Sequence, residues 1–491
     1  MKRTAPLLLL PLLLTSCAKS QPTATPAAPA PSAMPALTAT APAAGAIHLE
    51  AEDGTLTGNT VQTKIPGFSG KGYVGDFEPD GAKIAWTIPN AKAGLYEVKI
   101  RYSAPSGPKG YELAVNGKAS SGMLTATKDE FATRNAGKVE LNAGANTVEM
   151  QRGWGYYDLD AIDFTPSAPA QALVRPPTAL VDTQASPAAR TLLVYLLSQY
   201  GTKTLTGQYQ AEDTAAIQKA TGKTPAIFGT DLIEYSPSRV AHGSKPEGIT
   251  EAIITRSKAG QIVTVSWHWN APTGLLNKMS TDAQGKPLDL MWYKGFNTEA
   301  TTFDVQKALA APNSADYKLL LRDMDAIAVP LKKLQDAGVP VLWRPLHEAE
   351  GGWFWWGAKG PEPFKKLWRL MYDRYTTVHH LHNLIWVYSA TVDQKPDWYP
   401  GDDVVDVVGA DAYPKDTSDP LSGLWDKMQA AHGGKKLIAL TEFGGVPDLT
   451  RMDRYGVRWS YFVTWSGYLS KTPPAVIDRV YRGDLAVTAK P

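Results

Sequence analysis

Val339-Pro340-Val341-Leu342-Trp343-Arg344-Pro345-Leu346-His347-Glu348 is an apolar run, short enough for a buried strand, that ends on a carboxylate. A second run, Leu437-Ile438-Ala439-Leu440-Thr441-Glu442, does the same. Paired glycines follow each, Gly351-Gly352 and Gly444-Gly445. In a parallel α/β barrel the residues at the C-terminal ends of the strands line the active site. Two carboxylates placed there meet the needs of glycoside hydrolysis, one as proton donor and one as nucleophile or base. One such glutamate alone reads as a cap or an ion-pair partner. The pair, set among tryptophans, reads as catalysis.

Working outward, apolar strand-like runs alternate with helical patterns from about residue 186 onward. Eight candidate strands recur: Thr204–Gln208, Ala226–Asp231, Ile262–His268, Val339–Glu348, Leu384–Ser389, Val404–Tyr413, Leu437–Glu442 and a weaker Phe462–Trp465. Helical patterns lie between them, as in Tyr317–Ala337 and Pro363–His380. Eight βα units predict a (β/α)8 TIM barrel over residues 186–485. Glu348 and Glu442 then close the fourth and seventh strands, which are expected to face each other across the barrel. The long segment between the third and fourth strands predicts an inserted loop over the mouth.

The preceding 185 residues divide by texture. Lys2 and Arg3 followed by the short apolar run Leu7–Leu14 read as an export signal, too short to span a bilayer. The ending Leu14-Thr15-Ser16-Cys17 resembles the bacterial lipoprotein box, which implies lipid on Cys17 and cleavage before it, with residues 1–16 removed. Attachment to a membrane would then be through acyl chains only, at the cell surface or outer membrane, with a secreted protein as the alternative. Residues 17–46 are an Ala/Pro/Thr tether that cannot bury a core. Residues 47–166 carry short alternating runs such as Ile84–Ile88, Tyr96–Tyr102, Glu112–Val115 and Asn146–Met150, broken by turn pairs such as Asn116-Gly117. This predicts an all-β sandwich. Residues 167–185 are a Pro- and Ala-rich linker whose Leu173-Val174 and Leu180-Val181 predict contact with the next domain.

A formal net charge of +2 and no basic stripe exclude nucleic acid as a partner. The single cysteine excludes an internal disulfide. The 15 Trp and 21 Tyr are the unusual part of the composition, because flat amphipathic rings suit sugar faces. Trp353, Trp355 and Trp356 follow Glu348 on a glycine-rich loop and are candidate platforms. His268, His347, Arg344 and Tyr413 lie near strand ends, where histidine and donor groups tune a paired acid and nucleophile.

These motifs carry a family resemblance. Arg344-Pro345-Leu346-His347-Glu348 with Trp353, Ser266-Trp267-His268 and Thr441-Glu442-Phe443-Gly444 are similar to glycoside hydrolase family 26. The resemblance covers about Ala185 to Tyr481 and implies a retaining (β/α)8 enzyme, most often an endo-β-1,4-mannanase. It implies that Glu348 is the general acid/base and Glu442 the nucleophile, with the carboxylates about 5–5.5 Å apart. By the same resemblance His347 sits beside the acid/base, His268 in subsite −1, and Trp353 is the platform after the acid/base. Tyr413 holds the nucleophile, and Trp465 lies under the −1 sugar. Catalysis needs no cofactor. Exo-acting mannobiose release, β-1,3-xylanase or lichenase activity remain alternatives on this scaffold, as does a non-catalytic glycan-capture lipoprotein. The retained pair of glutamates argues against the last. A monomer is the default assembly.

In the sandwich, Glu50 and Glu52 share one side of a strand, and so do Asp158 and Asp160, a pattern able to cage Ca²⁺. Leu49-Glu50-Ala51-Glu52-Asp53 and Gly153–Ile162 together resemble carbohydrate-binding module family 35. That implies a structural Ca²⁺ on Glu50, Glu52 and Asp160, with Asp163 as the alternative third ligand. It also implies that Trp154 stacks on a ligand sugar, with Tyr156 or Tyr157 beside it.

Overall fold

The computed structural model describes residues 45–489, apart from residues 171, 283 and 284. The expected signal peptide, Cys17 and all but the last two residues of the tether lie outside the described residues. No described helix is long and apolar enough to cross a membrane.

Two antiparallel sheets form the N-terminal sandwich. One runs in the order Thr60–Gln62, Tyr73–Gly75, Asp158–Pro166, Gly94–Ser103, Ala132–Leu141, with Ile47–Glu50 also on Asp158–Pro166. The other runs Thr55–Thr57, Lys83–Ala91, Gly144–Trp154, Lys109–Val115, Lys118–Leu124. Alternation sets the faces. Along Gly94–Ser103, Tyr96, Val98, Ile100 and Tyr102 are buried between the sheets while the charged Glu97, Lys99 and Arg101 point away. The linker then crosses the barrel. Leu180 joins the barrel core, and the Val181 amide donates to Asp406 at 2.7 Å, whereas Val174 stays exposed.

Eight parallel strands close the barrel: β1 Gly207–Tyr209, β2 Ile227–Asp231, β3 Ile262–Trp267, β4 Val341–Pro345, β5 Leu384–Thr391, β6 Val407–Ala412, β7 Leu437–Phe443 and β8 Phe462–Thr464. Their near-continuous apolar runs are explained by burial on both faces, inside the barrel and under the helices. Several expected boundaries are corrected: the fifth strand runs on to Thr391, the sixth spans Val407–Ala412 rather than Val404–Tyr413, and the seventh runs one residue past Glu442. The first strand starts at Gly207, because Thr204–Leu205 pairs instead with Ala486–Val487. The fourth ends at Pro345 rather than Glu348, because Leu346 and Glu348 turn to positive φ, +50° and +52°. Helix α1, Ala315–Asp336, is capped by the Ser314 hydroxyl, which accepts from the Tyr317 amide. Helix α2, Pro361–Asp373, packs Phe364, Leu367, Trp368 and Met371 inward at the spacing of one helical face. It was expected to reach His380, but its regular turns stop at Asp373 and a widened turn covers Arg374–Val378.

The inserted segment between β3 and β4 carries a hairpin, Lys278–Thr281 with Pro287–Leu290, before α1. It also grips the loop after Glu348. The Thr298 amide and hydroxyl donate to the carbonyls of Trp353 and Gly352, both at 2.8 Å. The sandwich packs on the barrel through helix α3, Ser422–His432, and the loop before it. The Lys138 amide donates to the Ser422 hydroxyl at 2.8 Å, the Ser121 amide donates to Asp419 at 3.3 Å, and Lys415 and Arg454 pair with Glu112 and Glu140.

Candidate active site

Glu442 lies inside β7, fully paired by its neighbours. Arg344, at the end of β4 and with no exposed surface, donates to Glu442 and, at 2.9 Å each, to Asp411 on β6 and Ser389 on β5. The Tyr413 hydroxyl donates to the other Glu442 oxygen at 2.5 Å. Tyr413 is 40% exposed as a residue, but its hydroxyl end points inward to this carboxylate. A bulge sets the geometry: Ala410 pairs with Leu440 but Asp411 pairs with Glu442, so Thr441 is the extra residue. Its hydroxyl donates to Asp411 at 2.7 Å.

Glu348 is placed differently. It sits past the end of β4 on a left-handed turn, a conformation that costs a side-chain-bearing residue about 1–3 kcal/mol. Its amide donates to the Ser389 carbonyl at 3.0 Å, and one carboxylate oxygen accepts from the Trp353 indole at 3.0 Å. At least one oxygen of each of Glu348, Asp411 and Glu442 lies within 4.8 Å of the others. That closest-oxygen spacing is compatible with the roughly 5–5.5 Å between the carboxyl groups of retaining enzymes.

The charges explain the protonation. Three carboxylates share one guanidinium. Burial, then the charges of Asp411 and Glu442, push the Glu348 carboxyl well above the ordinary range against the pull of Arg344 and Trp353. Burial and Glu442 also push Asp411 up, to about 7, against the pull of Arg344. The protonated form of Glu348 is thereby favoured, while Glu442 has the two donors that a nucleophilic carboxylate needs.

His268 and His347 meet at 3.1 Å between their Nε2 atoms. His268 Nδ1 also lies 2.5 Å from Asp231 at the end of β2. Burial, then the charges of Arg344 and His268, hold His347 well below the usual imidazole range, so it is neutral. His268 Nδ1–H donates to Asp231, and across the contact between the two rings one Nε2–H donates and the other Nε2 accepts. Burial opposes ionisation of Asp231, yet the charge and hydrogen bonds of His268 hold its carboxyl below the usual range. Trp465 is half-buried against Tyr209 and His268, with ring centroids at 4.5 and 5.7 Å.

Thus Glu348, Glu442, His268, His347, Trp353, Tyr413 and Trp465 converge at one end of the barrel. One expectation is corrected: of the three tryptophans after Glu348 only Trp353 is open, at 46% exposure. Trp355 and Trp356 are buried, their indoles donating to the carbonyls of Trp269 and His347 at 2.6 and 3.0 Å. Four participants were not singled out from sequence: Asp411, Ser389, Tyr209 and Asp231. Asp411 was the most legible, one of two charges, with Asp406, inside an otherwise apolar strand run.

On the sandwich, Trp154 lies across Gly110, where a Cβ would meet its ring at 2.4 Å, with the Lys109 ammonium 6.0 Å from the ring centre. Trp154 and Tyr156 are exposed, but Tyr157 is a core residue stacked on Phe77 and is no partner for a ligand. Glu50, Glu52 and Asp160 converge on the turn Ser69-Gly70-Lys71. The Ser69 hydroxyl donates to Glu50 at 2.8 Å, the Ser69 amide to Asp160 at 3.0 Å and the Lys71 amide to Glu52 at 2.5 Å. Arg101 pairs with Asp160, and His48 bridges Asp163 at 2.6 Å and Glu50 at 3.1 Å. The second Glu52 oxygen is buried without a partner. The orphan Glu52 oxygen is an available hard ligand, but Glu50, Glu52 and Asp160 are not drawn together into a cation cage: among the described residues the set that brings its oxygens within 4.8 Å of one another is Glu348, Asp411 and Glu442.

Comparison with known proteins agrees with this geometry. Residues 181–488 match the model of Glycosyl hydrolase family 26, and residues 47–167 that of Carbohydrate binding module (family 35). A mannan endo-1,4-β-mannosidase of Thermothelomyces thermophilus is 43% identical over 455 residues, covering 91% of this chain and 90% of that protein. Mannan endo-1,4-β-mannosidase A of a Piromyces species is 34% identical, covering 86% of this chain and 68% of its own length. The crystal structure of a GH26-CBM35 β-(1,4)-mannanase from Podospora anserina superposes with a TM-score of 0.63 at 43% identity, covering 90% of this chain and 98% of that one.

Proposed function

The chain belongs to glycosyl hydrolase family 26, and on that premise we propose that it is an endo-1,4-β-mannanase acting by double displacement. The observation that carries the mechanism is the pairing of a protonated Glu348 with a Glu442 held by Arg344 and Tyr413, their oxygens within 4.8 Å. The Glu442 carboxylate attacks the anomeric carbon as the glycosidic C–O bond breaks. The Glu348 proton passes to the departing oxygen. Glu348, now a carboxylate, takes a proton from water. The water oxygen displaces Glu442 and leaves the sugar with its original anomeric configuration. His268, His347 and Trp465 line the sugar ring that reacts, and Trp353 extends the platform beyond the cleaved bond.

The sandwich supplies polysaccharide binding through Trp154 and Tyr156. Calcium held by Glu50 and Glu52, with Asp160 as third ligand, would fix the edge of that module; the orphan Glu52 oxygen supports this reading. The leader supports export and lipid anchoring at Cys17. The test is product analysis on galactomannan, linear mannan, β-1,3-xylan and mixed-linkage glucan, with wild type and Glu348→Gln in parallel. A ladder of manno-oligosaccharides from wild type, absent with the variant, is expected. Mannobiose alone from the first time point would make the enzyme exo-acting, and products only from xylan or glucan would overturn the substrate.

A further inference from the structure

Two residues beyond Glu348 lies a carboxylate that the mechanism above does not use. Glu350 is 5% exposed and sits on the single turn Ala349–Gly351. Its Oε1 accepts from both the amide and the hydroxyl of Thr391, at 2.8 and 3.0 Å. Thr391 is the last residue of β5, and its carbonyl accepts from Gln394 at 2.9 Å, which also bonds the Gly409 carbonyl of β6. The Glu350 backbone carbonyl in turn accepts from Lys395 at 3.2 Å. A reciprocal clasp therefore joins the turn bearing Glu348 to the end of β5.

That turn needs holding. Both Leu346 and Glu348 are left-handed, and such conformations persist only where the surroundings over-determine them. The Glu348 carboxylate itself has one protein donor, Trp353, which is half exposed. The Glu348 amide is tied to Ser389, two residues before Thr391 on the same strand. Glu350 supplies the second tie, on the far side of the proton donor. Burial, with the charge of Asp393, pushes the Glu350 carboxyl up to about 7 against the pull of Thr391, so it resides there largely uncharged at mildly acidic pH, and its buried, unpartnered Oε2 need not carry charge.

We propose that Glu350 is a positioning residue for catalysis: by anchoring its turn to Thr391 it holds the Glu348 proton in line with the departing oxygen. This rests on Glu348 being the acid/base. The reacting proton must be placed within a fraction of an ångström, and a misplacement of about 1 Å costs on the order of 10²-fold.

Leaving-group dependence separates proton delivery from general damage. Dinitrophenolate departs without protonation, whereas a sugar or phenolate does not. Glu350→Ala should lower kcat/KM for phenyl β-mannobioside and mannopentaose by about 10²-fold. Dinitrophenyl β-mannobioside should still give a fast burst of phenolate, followed by slow turnover that azide restores, because azide needs no general base. Glu350→Gln keeps an acceptor for Thr391 and should stay within a few-fold of wild type. Glu350→Asp, one methylene short of Thr391, should behave as the alanine variant does and serves if that variant does not fold. Equal losses on both aryl substrates, or no loss on either, would overturn the proposal. Glu348→Ala is run alongside. If it shows the burst and azide rescue but the Glu350 variants do not, the anchor is wrong and the acid/base reading stands; if it does not, the acid/base assignment falls first.

Discussion

The ends of β4 and β7 offer a carboxylate to the same space, but the backbones beneath them differ. Glu442 remains within its strand, beside a bulge, with a guanidinium and a phenol on its two oxygens. Glu348 has left its strand for a left-handed turn, with one indole donor. A nucleophile must be fixed to one line of attack, which strand hydrogen bonds, Arg344 and Tyr413 provide. A proton donor must hold a proton until the transition state and then act as a base. Burial beside two carboxylates, with the single guanidinium given mainly to its neighbours, provides that. The same residue type thus takes two roles because the two strand ends differ in donors.

The largest expected effect breaks the β7 side. Glu442→Ala should reduce kcat/KM on mannohexaose by about 10⁵-fold while the folded state persists. Near-normal turnover, or an inverted product anomer by NMR in wild type, would end the nucleophile assignment. Next, Arg344→Met leaves Asp411 and Glu442 buried without their cation. A loss of about 3–5 kcal/mol in denaturant unfolding is expected. An unchanged midpoint would mean that water or protonation already compensates those charges.

A smaller effect sharpens the β4 side. The Trp353 indole favours the ionised form of Glu348, so Trp353→Phe should raise that carboxyl further. An acid works only while protonated, and its rate is lost as pH rises through its pKa. The alkaline limb of kcat/KM should therefore move to higher pH, and a shift to lower pH would refute the role of this hydrogen bond. The smallest effect lies outside the comparison. Trp154→Ala should weaken retention on insoluble mannan and leave hydrolysis of short oligosaccharides unchanged, as measured by pull-down and by initial rates.

The eight-stranded barrel and both glutamates were legible because strand-end position is written in local sequence: an apolar run, then a carboxylate, then glycine. What escaped was set by neighbours remote in sequence. Asp411 matters because a bulge brings it beside Glu442, and register between strands is not encoded locally. Ser389 matters because Arg344 reaches it on the neighbouring strand, and Tyr209 because Arg344 reaches it across the barrel at 3.2 Å. Asp231 also closes an apolar run with a carboxylate, but no glycine follows it, so the rule that found the glutamates did not reach it. Trp355 and Trp356 show the converse error. Their sequence context matches that of Trp353, and only packing under the inserted segment decides which ring faces the cleft.

The docked sandwich has a consequence for how this enzyme samples a polymer. Lys138, Lys415 and Arg454 make contacts that span the two domains, so residues 167–185 do not act as a flexible leash. For a leashed module, local substrate concentration depends on linker length, and lengthening the leash dilutes it. Here the distance between capture and cutting is fixed, like the jaws of a caliper. Each engagement of the module then presents the barrel with a bond at a set offset along the chain, and inserting residues into the linker would change neither the offset nor the avidity.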